Sequence, residues 1–138
     1  HLMLELKEKV GSAIILITHA LGVIAETAER VVVMYAGKKV EEARVEELFE
    51  NPFHPYTQGL LGSVPRLDVA AVSTPGRVRL REIKGMVPSL HKLPKGCIFE
   101  PRCQFATDQC RSQYPPLEEI RPGHQVACWH TDRLLGEG

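Results

Sequence analysis

Residues 13–42 read AIILITHALGVIAETAERVVVMYAGKKVEE, and this pattern sets the fold class that the sequence predicts. Residues 13–17 (AIILI) form an unbroken apolar run with several β-branched residues, which predicts a strand buried on both faces, as in a parallel sheet. The run ends at Thr18 and His19, so His19 lies at the carboxyl end of this strand. Because open α/β sheets bind ligands beyond the carboxyl ends of their strands, His19 is a candidate site residue.

The elements around this strand extend the same pattern. Apolar residues at helical spacing predict a short amphipathic helix over residues 20–28, and residues 4–10 predict the last turns of an earlier helix. Residues 31–35 (VVVMY) predict a second apolar strand. Ala36-Gly37-Lys38 then predicts a turn that returns the chain as a hairpin strand over residues 39–41. The predicted order is β-α-β-hairpin, which is typical of the end of an α/β nucleotide-binding architecture.

All four cysteines lie in one later segment, separated by five, six and seventeen residues: Cys97, Cys103, Cys110 and Cys128. The segment is rich in Pro, Gly and charged residues and has no sustained helical or alternating pattern, so it has little apolar surface to bury. Four thiols can hold a metal ion, hold an iron–sulfur cluster or form two disulfides. The spacings differ from the CxxC pairs of zinc ribbons, and longer loops suit a larger object such as a cluster.

Composition narrows the class of protein. The chain has 138 residues, 43% of them hydrophobic, which is enough to form a core. Its 17 basic and 17 acidic residues give no net charge, which argues against a nucleic-acid binder. No apolar run approaches the roughly 20 residues that cross a bilayer, and the N-terminus has no apolar signal-peptide core. We therefore expect a reducing cytosolic setting, which favours metal or cluster chemistry over structural disulfides.

Two helices are predicted between the hairpin and the cysteines. The first covers residues 44–50, and the second runs from about Tyr56 to Val64, with Pro55 suited to its first turn. His54 lies just before the second helix and has no nucleophile or acid close to it in sequence. We therefore interpret His54 as a residue at the start of the helix that packs on the preceding loop, and not as a catalytic residue. Residues 77–85 alternate in part and predict one or two short strands.

Three stretches together resemble the ATP-binding subunits of oligopeptide and dipeptide ABC importers. They are residues 13–42, HPYTQGLL at residues 54–61, and IKGMVPSLHKLPKGCIFEPRC at residues 83–103. The resemblance implies the last part of a P-loop ABC ATPase domain followed by the C-terminal extension of that family. It also implies that His19 is the switch histidine, which approaches the γ-phosphate of ATP, although Ala20 follows it where the family usually has an acidic residue.

The motifs that normally precede this histidine are absent from the sequence. It contains no GxxxxGK[ST] phosphate loop, no LSGGQ-like signature and no apolar run that ends in an Asp-Glu pair. We therefore expect the chain to be a C-terminal fragment of a longer ABC-type ATPase. In the intact subunit ATP and Mg²⁺ would bind, whereas this fragment alone has one of the several parts that phosphoryl transfer requires and is expected to be catalytically inactive.

The resemblance also bears on the cysteines. It implies that they hold a [4Fe–4S] cluster through the ligands Cys97, Cys103, Cys110 and Cys128. Zinc is the alternative, with His124 or His130 as a possible substitute for a thiolate, and thiols that bind no metal, free or oxidised, are the other. Phe99, Phe105 and Trp129 are candidates to shield the site from water. The expected role is structural, because the group would close the extension without a large core.

These observations predict two regions and one function. Residues 1–43 would be the end of the nucleotide-binding domain, and residues 44–138 a mostly irregular, cysteine-rich α+β extension with a regulatory or dimer-stabilising role. The intact subunit would couple ATP hydrolysis to peptide import, together with a second ATP-binding subunit and membrane permease subunits. It would be cytoplasmic and peripheral on the inner face of the cell membrane, and the fragment itself would self-associate. The alternative is a stand-alone zinc- or iron–sulfur-binding interaction module without nucleotide chemistry.

Overall fold

The computed structural model describes residues 2–62, 83 and 85–131, apart from the side chain of Met3. The helices in chain order are α1 (Leu2–Val10), α2 (Leu21–Thr27), α3 (Val45–Glu50), α4 (Pro55–Gly62), a 3₁₀ helix (Glu100–Arg102) and α5 (Asp108–Ser112). The strands are β1 (Arg30–Tyr35), β2 (Lys38–Arg44), β3 (Glu118–Arg121) and β4 (His124–Val126). None of the helices in the described part of the chain is long and apolar enough to cross a membrane.

The four strands form one antiparallel sheet in the order β1-β2-β4-β3. β1 and β2 are joined by a two-residue loop, Ala36 and Gly37, with φ of 48° and 80°. A two-residue loop with positive φ at both residues has a backbone twist that matches the right-handed twist of the two strands it joins. Along β1 exposed and buried residues alternate, and Val31, Val33 and Tyr35 face the core. The predicted hairpin is therefore confirmed.

The helices around the hairpin are confirmed, with small shifts at their ends. α1 covers the predicted helix over residues 4–10, α2 lies within residues 20–28, and α3 differs by one residue from the prediction of 44–50. α4 begins at Pro55, and its predicted last residues after Gly62 lie outside the described part of the chain. The strands predicted over residues 77–85 also fall there, apart from Ile83 and Gly85.

The first predicted strand was wrong. Residues 13–17 adopt no regular structure, and Ile15 and Ile17 are 90% and 93% exposed. A strand needs a neighbour to receive its backbone hydrogen bonds, and no described segment pairs with residues 13–17. The observed sheet is accordingly antiparallel and not parallel, and the described part has no β-α-β unit before the hairpin.

The cysteine-rich region contributes more to the fold than its sequence pattern indicated. β3 and β4 form a hairpin, and β4 pairs with β2, with Glu41 opposite Val126 and Glu42 opposite Gln125. One sheet therefore includes strands from both sides of the predicted domain boundary at residues 43 and 44. The boundary itself stays a prediction.

An aromatic cluster joins the hairpin to the cysteine-rich region. The ring of Tyr35 lies 4.6 Å from that of Tyr56 in α4 and 5.2 Å from that of Phe99, and the Phe99 and Tyr56 rings are 5.6 Å apart. Tyr35 and Phe99 are buried, together with Ile98. Aromatic pairs at these distances contribute about 0.5–1.5 kcal/mol beyond the area they bury. This cluster fixes α4 and residues 98–99 against the end of β1.

The carboxylate of Glu41 in β2 is the main polar connection in the core. It is fully buried, and its oxygens accept hydrogen bonds from the backbone N–H of Phe53 at 2.8 Å and of His54 at 3.1 Å. One of them also lies 2.7 Å from Nε2 of His124 in β4, which is fully buried as well. Nδ1 of His124 lies 3.3 Å from Glu47 in α3. Glu41 therefore connects β2, the loop before α4 and β4.

We expect Glu41→Ala to lower the free energy of unfolding by about 3 kcal/mol or more, because it leaves two backbone donors and His124 buried without their acceptor. Urea denaturation of the purified protein measures this. Glu46→Ala is the matched control, because Glu46 is exposed and its nearest cation, Arg44, lies 3.8 Å away. Equal effects of the two substitutions would contradict the role given to Glu41.

His124 makes the stability depend on pH. Burial alone would lower the pKa of His124, but the hydrogen bond and charge of Glu41, and then those of Glu47, outweigh burial and raise it above 6.5. A histidine whose pKa is raised by folding stabilises the folded state fully below its unfolded pKa, and this stabilisation is lost as the pH rises through the folded pKa.

We therefore expect the stability advantage of the unchanged protein over His124→Gln to be largest below about pH 6.5 and to shrink as the pH rises through the raised pKa of His124. Urea denaturation at several pH values checks the prediction. An advantage that stays constant or grows with pH would show that His124 is not held as the protonated partner of Glu41.

Candidate functional site

The four cysteines converge on one cavity. Cys97, Cys103, Cys110 and Cys128 all line it, together with His54 and His130 among others. The enclosed volume of the cavity is about 20 Å³. Cys110 is buried and the other three are partly buried, and none forms a disulfide. Four reduced thiols around one cavity form a set of sulfur ligands.

Three local elements place the four cysteines. Cys97 precedes the 3₁₀ helix and Cys103 follows it, while Cys110 lies in α5 and Cys128 follows β4. The backbone N–H of Cys97 donates to the carbonyl of Cys110 at 2.7 Å, so these two residues are held side by side. Gly96 permits this approach, because a Cβ at Gly96 would lie 2.1 Å from the carbonyl oxygen of Cys110.

Three of the sulfurs receive backbone hydrogen bonds. Burial raises the pKa of Cys97 and of Cys103, and the N–H groups of Phe99 and Phe105, respectively, partly oppose this rise. His130 donates its N–H to Sγ of Cys128 at 3.4 Å. In each case the donor lies two residues after the cysteine. N–H donors aimed at sulfur stabilise thiolate charge, and they are one of the features that tune iron–sulfur sites.

Cys110 is surrounded by side chains instead. Its Sγ lies 3.3 Å from Nε2 of His130 and 3.5 Å from the hydroxyl of Thr107. The same hydroxyl lies 2.9 Å from Nε2 of His130. Both neighbours can donate a hydrogen bond, so the sulfur of Cys110 also has donors next to it.

Burial dominates the thiol pKa values. Burial first, and then the charges of Cys97, Cys103 and Cys110, raise the pKa of Cys128 to about 12, although the N–H of His130 opposes the shift. Burial likewise raises the pKa of Cys97 and Cys103, with further contributions from Cys110. In the protein without a bound cation these three thiols are therefore protonated at neutral pH. A bound cation would favour their thiolate forms.

The four thiols line one cavity, but they are not placed as ligands of a single ion. Across residues 2–62, 83 and 85–131, no three His, Cys, Asp or Glu side chains lie close enough together to hold a single metal ion. A cluster places each thiolate on a different iron and therefore spans a larger distance. Phe99 and Phe105 line the cavity, whereas the indole N–H of Trp129 donates to the carbonyl of Gln113 at 2.9 Å.

His54 belongs to the same cavity, which the sequence analysis did not predict. As expected, His54 lies at the start of α4, just before its first residue. There its Nδ1 accepts a hydrogen bond from the backbone N–H of Tyr56 at 3.0 Å. Its ring is 2% exposed and lies 5.7 Å from the ring of Phe99. Burial lowers the pKa of His54 to about 4, partly opposed by the charge of Glu41. Nothing in the linear sequence placed His54 beside the cysteines.

The other predicted site residues lie elsewhere. Both ring nitrogens of His124 face Glu41 and Glu47, so of the two histidines proposed as thiolate substitutes only His130 lines the cavity. His19 is exposed in the segment before α2. There the hydroxyl of Thr18 accepts a hydrogen bond from the N–H of Ala20 at 3.0 Å.

Comparison with known proteins identifies the family. The model of the oligopeptide/dipeptide transporter C-terminal region matches residues 40–110, just over half of the chain. This match includes the hairpin strand, the HPYTQGLL stretch and three of the cysteines. The chain belongs to this family. The matched residues correspond to the C-terminal region of oligopeptide/dipeptide transporter proteins.

Individual relatives extend the similarity over nearly the whole chain. A probable peptide ABC transporter ATP-binding protein of Sinorhizobium fredii is 48% identical over 97% of this chain and 38% of its own length. An oligopeptide transport ATP-binding protein of Bacillus subtilis is 46% identical over 93% of this chain and 37% of its own length. A dipeptide transport ATP-binding protein of Haemophilus influenzae is 45% identical over 94% of this chain and 37% of its own length.

The chain thus spans less than two fifths of the length of these curated relatives. Their names do not favour the alternative of a stand-alone metal- or cluster-binding module. The observed mixture of helices with a four-stranded antiparallel sheet is consistent with the C-terminal part of such an ATPase.

We expect Gly96→Ala to separate Cys97 from Cys110 and to destabilise the protein by about 1–3 kcal/mol, because the added methyl group overlaps backbone atoms that cannot move independently. Thermal unfolding and metal content of the purified protein are the measurements. Gly22→Ala in α2 is the control, because no atom lies within 4 Å of the Cβ it would add. Unchanged stability and metal content in Gly96→Ala would contradict the placement of Cys97 against Cys110.

Proposed function

We propose that this chain is the C-terminal part of a subunit that couples ATP hydrolysis to peptide import through an ABC transporter. The observation that carries the proposal is the family match over residues 40–110, together with relatives named as peptide, oligopeptide and dipeptide transport ATP-binding proteins. The partners would be a second ATP-binding subunit and membrane permease subunits. The complete protein would lie on the cytoplasmic face of the cell membrane, bound to the permease.

Within that subunit, His19 would act as the switch histidine. An imidazole can donate a hydrogen bond to a phosphate oxygen and lose that bond after hydrolysis. The exposed position of His19 before α2 is compatible with this role, because the side chain is free to meet a nucleotide. ATP and Mg²⁺ would bind mainly to residues outside this chain, which has no phosphate loop.

The cysteine-rich extension would hold a [4Fe–4S] cluster through Cys97, Cys103, Cys110 and Cys128. Three features support this ligand set: the four thiols line one cavity, none is oxidised, and hydrogen-bond donors lie at all four sulfurs. The positive charge of the cluster's iron ions would stabilise the thiolate forms of these buried cysteines, which burial alone would keep protonated. Zinc is the second candidate, and it would need the side chains to move closer together, because no described group can hold one ion.

The extension would then be structural, with a regulatory or dimer-stabilising effect. If one group holds all four cysteines, metal-binding free energy would become folding free energy for residues 97–128, in addition to the burial of Ile98 and Phe99 in the core. The predicted division into residues 1–43 and residues 44–138 agrees with this assignment of roles, although strand pairing crosses it.

We expect His19→Ala to reduce ATP hydrolysis by the complete subunit, assembled with its permease, by about 10- to 100-fold, which corresponds to one lost hydrogen bond to a charged group. Hydrolysis and peptide uptake in proteoliposomes are the measurements. His91→Ala, at another exposed histidine, is the control. Full activity in His19→Ala would exclude the switch role, and turnover by the present chain alone would contradict the need for an upstream phosphate loop.

We expect the anaerobically purified protein to contain iron and acid-labile sulfide, and replacement of any one of the four cysteines by Ser to remove both. All four substitutions should loosen residues 97–128 together, because one group holds every loop. Trp129→Phe is the control, since Trp129 bonds outside the cavity. If each substitution affected only one other cysteine, and reductant had the same effect, the four cysteines would form two disulfides instead. If the protein contained zinc but no sulfide, the site would hold a zinc ion and not a cluster.

A further inference from the structure

The tautomer of His54 is fixed by the fold. Its Nδ1 accepts a hydrogen bond from the backbone N–H of Tyr56 at 3.0 Å, so Nδ1 carries no proton. An imidazole with no proton on Nδ1 is neutral and carries its one proton on Nε2. His54 therefore presents one N–H donor at Nε2. No acceptor for that donor is found among residues 2–62, 83 and 85–131.

The position of the ring is also fixed. The backbone N–H of His54 donates to Glu41 at 3.1 Å, and the ring packs against Phe99 with their planes at 57°. The side chain is 2% exposed, yet it lines the cavity that the four cysteines share. Among the described residues, the buried side-chain polar atom that lacks a partner is Oγ1 of Thr57, so Nε2 of His54 is not sealed in the core. It remains reachable from the cavity that His54 lines, where a donor can meet a bound group.

We propose that His54 donates a hydrogen bond from Nε2 to a sulfur atom of the group that the four cysteines hold, either a cluster sulfide or a cysteine thiolate. This proposal rests on the cofactor assigned above. His54 would then have two separate roles. Its Nδ1 caps the N-terminus of α4, and its Nε2 donates a hydrogen bond to the cofactor. This arrangement also explains why a residue far from the cysteines in sequence forms part of their cavity.

The hydrogen bond has a defined chemical consequence. A donor aimed at sulfur stabilises the more negative, reduced form of a cluster more than the oxidised form, and so raises its reduction potential. Loss of outer hydrogen-bond partners of metal ligands typically costs about 10- to 100-fold in metal affinity. His54 would therefore both raise the potential and slow the loss of the cluster.

Two substitutions separate the two roles. In His54→Asn the side-chain oxygen can replace Nδ1 and accept from Tyr56, as Asn does in short turns, but nothing reaches the position of Nε2. In His54→Gln the longer amide can place an N–H donor near the position of Nε2 but does not cap α4. We expect His54→Asn to lower the reduction potential and to speed loss of the cluster in air by about tenfold. His54→Gln should keep both values closer to those of the unchanged protein and unfold more easily.

The measurements are redox titration followed by electron paramagnetic resonance, and the decay of visible absorbance in air, on anaerobically purified proteins. If His54→Asn does not fold, His54→Phe, which keeps an aromatic ring beside Phe99 but has no donor, must show the same lower potential. A potential and an air lifetime unchanged in these donor-free variants would overturn the inference while leaving the cluster assignment intact.

Failure of the cofactor assignment gives a different result. If the unchanged protein contains zinc without sulfide, the cluster is excluded, and the rate at which a chelator removes zinc then decides the inference. Removal about tenfold faster from His54→Asn than from His54→Gln would support it, and equal rates would overturn it. A protein that binds neither iron nor zinc contradicts both proposals.

Discussion

The buried carboxylate of Glu41 is the interaction on which the rest of the structure depends. A carboxylate removed from water needs several hydrogen bonds, and Glu41 obtains them from Phe53, His54 and His124. Meeting this requirement fixes β2, the loop before α4 and β4 relative to one another. The loop then positions His54, and β4 leads directly to Cys128. The polar requirement of one side chain thus determines where two parts of the cysteine cavity lie.

The cavity adds a second constraint, because it collects thiols that burial keeps protonated. Cys128 has its pKa raised to about 12, which means that the thiolate form needs a strong compensating charge. The backbone N–H of His130 and the side chains around Cys110 provide part of that compensation. A bound cationic centre would provide the remainder.

The sequence predicted local elements well and tertiary relations poorly. The hairpin followed from the apolar run at residues 31–35 and from the turn at Ala36-Gly37-Lys38, since both signals are local. Residues 13–17 have the pattern of a buried strand, but a strand forms only when neighbouring strands are available to pair with it. β3 and β4 are too short to show a period. Glu41 looks like an ordinary charged strand residue until the fold surrounds it with donors.

The site shows the same division. The four cysteines were recognisable as a set from their composition and spacing, and they line one cavity. The participation of His54 was not recognisable, because it arises from the packing of α4 against Phe99 and from the hydrogen bonds of Glu41.

Amide hydrogen exchange tests most directly whether the loop before α4 and the cysteine-rich segment are held together as one unit. The account predicts that removing the proposed cluster speeds exchange at the amides of Phe53, His54 and Cys97 together, while the amides of Val31 and Val33 stay unchanged. Faster exchange at Cys97 alone would contradict it.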